Sequence, residues 1–126
     1  MILAVVGSTQ LNESQTMAAK FAIQGALEIL DPTGFTSGGA KGVDTLGQDL
    51  FWTFRPDAKD VFIWLPEHPS WKGKGGLKGF EHRNRLIAET CDSLLRVVRK
   101  DSTTYGSGWT ADRARELGKD VWEVFV

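Results

Sequence analysis

The sequence predicts an α/β protein, a Rossmann-like three-layer fold with a five-stranded parallel sheet and helices on both faces. Three observations predict it. Short runs that are apolar at consecutive positions recur along the chain, as strands buried on both faces of a parallel sheet require. Stretches with apolar residues at helical spacing lie between them. The joints leading from strand to helix are rich in glycine and serine, the residues a chain needs where backbone must turn sharply or approach a ligand closely.

Taken in order, Ile2 to Val6 is the first strand. It belongs to the run Met1-Ile2-Leu3-Ala4-Val5-Val6-Gly7, which lacks the basic start of a signal peptide. Asn12 or Ser14 can cap the next helix, in which Met17, Phe21, Leu27 and Leu30 fall among Ala18, Ala22, Ala26 and Ile29. That face is expected to lie on the sheet, and Asp31-Pro32-Thr33-Gly34 ends the helix. Phe35-Thr36-Ser37 is the shortest strand, and Val43, Leu46, Gly47, Leu50 and Phe54 form the second helical stripe. Val61 to Leu65 is a third strand, and Pro66 to Gly79 is a long irregular piece with four glycines, expected to be a mobile loop beside a ligand. Asn84, Ile87, Ala88 and Cys91 mark a third helix before the strand Ser93 to Val98. Ala111, Ala114 and Leu117 mark a fourth, closed by Gly118, before the last strand, Val121 to Val126. The alternation β-α-β-α-β-α-β-α-β implies right-handed crossovers in one domain spanning 1–126.

Composition narrows the function. Sixteen acidic residues against fifteen basic give a net charge of −1, where a protein that coats nucleic acid carries a basic excess. With one cysteine no internal disulfide can form, and with two histidines besides no zinc site has recognised spacing, so neither metal nor cofactor is expected. No apolar stretch approaches the ~20 residues of a membrane span, and a cytoplasmic setting is expected.

Ligands of open parallel sheets bind outside the carboxyl ends of the strands. Three glycine-rich turns occur there: Gly7-Ser8-Thr9, Ser37-Gly38-Gly39-Ala40-Lys41-Gly42-Val43-Asp44 and Gly106-Ser107-Gly108-Trp109-Thr110. One such turn is ordinary chain geometry, but three on one edge predict a phosphate cradle, with amides at helix starts and the hydroxyls of Ser8, Ser37, Ser107 and Thr110 as donors. None follows the dinucleotide or P-loop pattern. Between Glu67 and Arg85, Lys72, Lys74, Lys78, Arg83 and Arg85 outweigh Glu67 and Glu81, a local charge of +3. Lys72 and Lys74 read as a solvated face. Arg83 and Asn84 open a helix, where arginine can grip phosphate with two parallel bonds and asparagine can read a sugar or base edge. Asp44, the carboxylate within a glycine-rich turn, is a candidate base or ribose ligand, or simply an acid in the first turn of a helix. Arg96, inside an apolar strand, calls for an edge position or a salt bridge. Trp52, Trp64 and Trp122 read as packing residues, while Trp71 and Trp109 fall in the ligand loops, where packing competes with base stacking.

Val6-Gly7-Ser8, Ser37-Gly38-Gly39-Ala40-Lys41-Gly42-Val43-Asp44, His82-Arg83-Asn84 with Ile87, and Gly108-Trp109-Thr110 with Ala114 and Gly118-Lys119 together resemble the SLOG superfamily. That group includes the DNA-processing protein A (Smf) family and the Lonely Guy phosphoribohydrolases, and the small stand-alone YpsA-type members look most alike. The second stretch resembles the SGGARGID of the DNA-processing proteins. The resemblance implies a Rossmann-like domain that binds a nucleotide or nucleotide-derived ligand, often as a homodimer. Gly7, Ser8, Ser37, Gly38, Gly39, Ala40, Arg83, Asn84, Gly106, Ser107, Gly108 and Thr110 are then the ligand-binding candidates. Lonely Guy enzymes carry PGGxGTxxE, whereas here the proline is missing and the glutamate position falls on Arg113. Asp112 is one residue early and points about 100° away on a helix. A sensor or binding module is therefore expected. An N-glycosidic hydrolase of nucleoside monophosphates, with Asp44 or Glu81 replacing the family glutamate, is the first alternative. A single-stranded DNA binder using Lys72 to Arg85 is the second, disfavoured by the near-neutral charge.

Overall fold

The computed structural model describes residues 1–126. The elements are β1 (Ile2–Gly7), α1 (Glu13–Leu30), β2 (Gly34–Ser37), α2 (Val43–Phe54), β3 (Asp60–Ile63), α3 (Phe80–Thr90), β4 (Ser93–Val98), α4 (Gly106–Glu116) and β5 (Asp120–Phe125). All strands are parallel, in the order β3-β2-β1-β4-β5. This is the three-layer α/β architecture that the alternation of strands and helices predicts. No helix is long and apolar enough to cross a membrane.

The strand order determines where the helices go. From β1 the chain adds strands on one side, and from β4 on the other, so connections of one hand must lie on opposite faces. Accordingly α1 and α2 cover one core, with Leu3, Val5, Ile23, Leu27, Phe35 and Phe51. The second core, with Ala4, Val6, Ile87, Ala88, Leu94, Ala111 and Ala114, lies under α3 and α4. β1 feeds both cores with alternating side chains, as a central strand must. The sheet order reverses between β1 and β4, which leaves a crevice at their carboxyl ends.

Local chemistry sets the boundaries. Asn12 caps α1 in a full capping box, its Oδ1 accepting from Gln15 N at 2.8 Å while Gln15 Oε1 accepts from Asn12 N at 3.0 Å. At the far end of α3, Lys119 Nζ donates to the Cys91 carbonyl at 2.5 Å, a cation where the helix dipole favours one.

Two expectations need correction. Of the α1 stripe, Met17, Phe21 and Ile29 do not lie on the sheet: they are 66%, 82% and 82% exposed, whereas Leu27 of the stripe is buried as expected, together with Ala19 and Ile23. Both sets have helical spacing, and the buried one presents the better fit of small and branched groups between sheet and α2. Secondly, β3 and β5 are edge strands, partly exposed along their length and not buried on both faces. Phe62, Trp122 and Phe125 accordingly remain more than a third exposed, as does Trp52 on α2.

The α1 assignment is open to a direct check. Phe21→Ser should change unfolding free energy by no more than about 0.5 kcal/mol, as exposed substitutions do. Ile23→Ala should cost about 2–5 kcal/mol by emptying the core. Urea denaturation of the two variants should give this order, and the reverse order would restore the Met17–Phe21 face to the sheet.

Candidate functional site

A cavity of about 260 Å³ opens at the carboxyl ends of β1 and β4, at the point where the strand order reverses. Gly7, Ser8, Ala40, Asp44, Arg83, Asn84, Gly106, Ser107 and Thr110 all line it. Of the other candidates, Ser37, Gly38, Gly39 and Gly108 stand behind this lining. Ser37 Oγ donates to the Val5 carbonyl at 2.8 Å, and Gly108 lies beneath the Tyr105 ring. Glu81 does not line the cavity; it is held by Lys72 Nζ at 2.7 and 2.9 Å and lines a neighbouring hollow. Asp112 and Arg113 are also elsewhere, paired with Arg115 and Glu116.

Arg83 anchors the arrangement. Its Nη1 donates to the Gly38 carbonyl at 2.7 Å and its Nε to Asn84 Oδ1 at 2.7 Å, with the guanidinium carbon 5.3 Å from the Phe80 ring centre. A β-carbon on Gly38 would come within 2.5 Å of Nη1, so glycine there is what allows the arginine to reach the turn. Arg83 is thus half-buried and braced, not a solvated side chain at a helix start. Its Nη1 also meets the Trp64 carbonyl at 3.5 Å, and its Nη2 takes no protein acceptor.

Asp44 faces this charge from the first turn of α2 and is 5% exposed. Burial pushes its carboxyl up from 3.8 to about 6, against the opposing pull of Arg83 and a hydrogen bond from Gly38 N at 3.1 Å. The turn that delivers it depends on Gly42 at φ 82°, a left-handed conformation, with the Ser8 carbonyl accepting from Val43 N at 3.0 Å.

Two serine hydroxyls of the lining accept from the protein, whereas Thr110 Oγ1 donates to the Gly106 carbonyl at 3.0 Å. Ser8 Oγ accepts from Arg99 N at 2.9 Å, and Ser107 Oγ accepts from Arg96 Nε at 2.9 Å. Asn84 Oδ1 takes the Arg83 bond, and its amide nitrogen is directed to the Gly106 carbonyl at 3.4 Å. A hydroxyl that accepts a protein donor has its own proton free to donate, so Ser8 and Ser107 present O–H groups to the pocket.

The helix starts point the same way. The capping box closes α1, and the Ser70 and Trp71 carbonyls accept the first amides of α3 at 2.8 and 2.9 Å. No side chain caps α4, whose first amide bond is Trp109 N to the Tyr105 carbonyl at 2.8 Å. The amides of Gly106, Ser107 and Gly108 therefore begin the helix without a protein acceptor, the condition in which a helix start attracts an anion.

Arg96 now has a physical account. It lies in β4, an interior strand, and pairs with Glu123 of β5 at 2.6 Å, which satisfies the salt-bridge reading and removes the edge-strand one. Its Nε bond to Ser107 makes it a support for the pocket that sequence alone does not reveal. The Pro66–Gly79 piece, expected to be a mobile loop, is tied down: Glu67 and His68 amides bond to the Lys78 carbonyl, and Lys74 pairs with Leu77 in an isolated antiparallel bridge. Val6, Thr9, Trp71, Phe80, Ile87 and Thr104 complete the lining, and of these Phe80 and Thr104 carry no motif by which they could have been chosen.

No family model matches the chain, and no curated protein matches it. A solved structure of DNA processing protein A from Helicobacter pylori, described for its single-stranded DNA binding mode, is similar with a TM-score of 0.66. The likeness covers 98% of this chain and 64% of that one at 16% identity, so the chain spans less than two thirds of that structure's length. At this identity the likeness shows a shared fold.

The buried carboxyl yields a pH prediction. Below about pH 4 Asp44 is neutral whether folded or unfolded. As pH rises toward about 6 the folded state holds the proton longer than the unfolded one, so stability falls, and above that the loss is complete. The difference between 3.8 and about 6 corresponds to about 3 kcal/mol. Asp44→Asn should therefore be more stable than wild type at pH 7, with the gain shrinking toward pH 4. Thermal unfolding across that range tests it, and a gain that is constant with pH would assign the effect to something other than this proton.

Proposed function

We propose that the cavity binds a nucleotide or nucleotide-derived phosphorylated compound, as a sensor or binding module of the SLOG kind. The observation that carries this reading is the group of hydrogen-bond donors that the lining brings together. With Ser8 and Ser107 each accepting a bond from the protein, the pocket offers their hydroxyl protons, the open amides of α4 and the free edge of Arg83. Such a set favours an anion with several acceptor oxygens, and a guanidinium supplies the charge that neutral donors cannot. Asn84 and Asp44 stand beside it as partners for sugar hydroxyls. About 260 Å³ is slightly below the ~300–1,000 Å³ of common small-molecule pockets, which suits one nucleotide better than a dinucleotide.

A second reading, a single-stranded nucleic acid, draws support from the fold shared with a DNA-binding protein and from a basic hollow next to the cavity. Lys72, Lys74, Lys78, His82 and Arg85 line that hollow, one residue along from Trp71 and Arg83. The hydrolytic alternative rests on Asp44 alone, because a carboxyl near pH 6 can exchange protons at neutral pH.

Thermal shift and calorimetry separate these readings. Nucleoside monophosphates should stabilise the protein well above unphosphorylated nucleosides, by about 2.7 kcal/mol at 100 times the dissociation constant. Arg83→Ala should weaken binding at least about tenfold, consistent with a cost of about 2–5 kcal/mol for a truncated charged contact. It should also lower stability, because the Gly38 carbonyl loses its donor. Oligonucleotide binding with a steep salt dependence, and no response to mononucleotides, would establish the polymer reading instead. Release of free base on incubation, abolished in Asp44→Asn, would establish the hydrolase.

A further inference from the structure

We infer that Trp71 is the stacking face for the base of the bound nucleotide, and that the site is therefore selective for ligands carrying a planar base. The inference rests on the nucleotide reading above and adds the second half of the ligand to it.

Trp71 lines the same cavity as Arg83 and Ser107, yet it comes from the excursion between β3 and α3, outside all three glycine-rich turns. It is half-buried, so part of the indole remains available. Its orientation is fixed from several directions. The Trp71 carbonyl accepts from Glu81 N at 2.9 Å, and the adjacent Ser70 carbonyl accepts from Phe80 N at 2.8 Å, which joins this stretch to the start of α3. The neighbouring Lys72 is tied to Glu81. The ring meets Trp109 of α4 in an edge arrangement, with centroids 5.2 Å apart and planes at 85°. Trp109 is itself held by Arg85, whose guanidinium carbon lies 5.7 Å from its ring centre.

A tryptophan serving only as a brace would be expected to turn its area into the core, whereas this one spans α3 and α4 at the mouth of a polar pocket. An aromatic ring held in place beforehand loses little freedom when a base settles on it, which is where stacking affinity arises. The apolar side chains of Phe80 and Ile87 share this lining with the anion donors at Ser8, Ser107 and the α4 start. One cavity thus holds both an aromatic face and anion donors, the two kinds of group that a nucleotide engages. Stacking on an indole tolerates any base and grows with overlapped area, so purines should exceed pyrimidines.

The test is calorimetric titration of wild type, Trp71→Phe and Trp71→Ala with adenosine 5′-monophosphate and with ribose 5-phosphate, which lacks the base. Wild type should bind the nucleotide more tightly than the sugar phosphate. Trp71→Ala should lose about 5- to 150-fold for the nucleotide and change by less than about twofold for ribose 5-phosphate, whereas Trp71→Phe should keep most of the affinity. Tryptophan emission gives a second readout that does not depend on the alanine variant folding. Adenosine 5′-monophosphate should quench wild type, the quench should vanish in Trp71→Phe, and ribose 5-phosphate should produce none. Equal affinity of wild type for both ligands, equal loss of both in Trp71→Ala, or a quench that survives in Trp71→Phe would overturn the stacking role while leaving the phosphate site intact. Failure of both ligands to bind wild type would overturn the nucleotide reading and this inference with it.

Discussion

The pairing of β1 with β4 at the centre of the sheet is the constraint on which the site depends. Their outgoing chains leave toward opposite faces, so no connection crosses the space above their ends. That space must be closed by whatever the neighbouring loops and helix starts can supply. Arg83 supplies the main tie, reaching from α3 across to the Gly38 carbonyl at the end of β2. Because that tie carries a full charge into a half-buried place, it needs a counter-charge or an anion. Asp44 is the counter-charge the protein provides.

Asp44 does this incompletely. Its carboxyl is more buried than the guanidinium it faces, and the cost of ionising it exceeds what Arg83 and the Gly38 amide return, which is why it titrates near 6. The anion we propose would meet this cation beside open amides and outward hydroxyl protons, with Asp44 losing its charge as pH falls through about 6. Arg96 extends the same logic behind the wall. Its charge is balanced by Glu123 and Arg115 joins Glu123 in turn, so the net effect at Ser107 is an oriented hydroxyl and not a second free cation.

How much of this is legible in the sequence follows from the range of the interactions. The sheet, the order of elements and the three glycine-rich turns are local patterns, and each appears where apolar runs and glycines place it. Arg83, Asn84 and Asp44 are legible as candidates because each stands at a helix start next to such a turn. Their roles are not: that Arg83 spends two of its donors on the protein follows from a contact 45 positions away. The α1 face fails for a related reason. Met17, Phe21 and Ile29 repeat with the same period as Ala19, Ile23 and Leu27, and the surface opposite decides between them. Glu81 reads like a catalytic candidate from its neighbours in sequence, but Lys72, nine positions earlier, claims it. Arg96 and its bond to Ser107 leave no local pattern at all.

The distribution of charge bears on whether the proposed ligand is one phosphorylated unit or a polymer. A polymer offers a phosphate every few ångströms, so its affinity grows with the number of cations set along a path. Beyond the cavity, Lys72, Lys74, Lys78, His82 and Arg85 line one hollow, and Lys72 is already neutralised by Glu81. The strongest electrostatic feature is instead concentrated in one enclosed place, where a half-buried guanidinium, a helix start without acceptors and two oriented hydroxyls converge. Concentrated donors discriminate by the shape and charge of one group, and they gain little from a second phosphate outside their reach. The proposed recognition of a single phosphorylated unit rests on that convergence, with the chain fold serving as the scaffold that brings its pieces together.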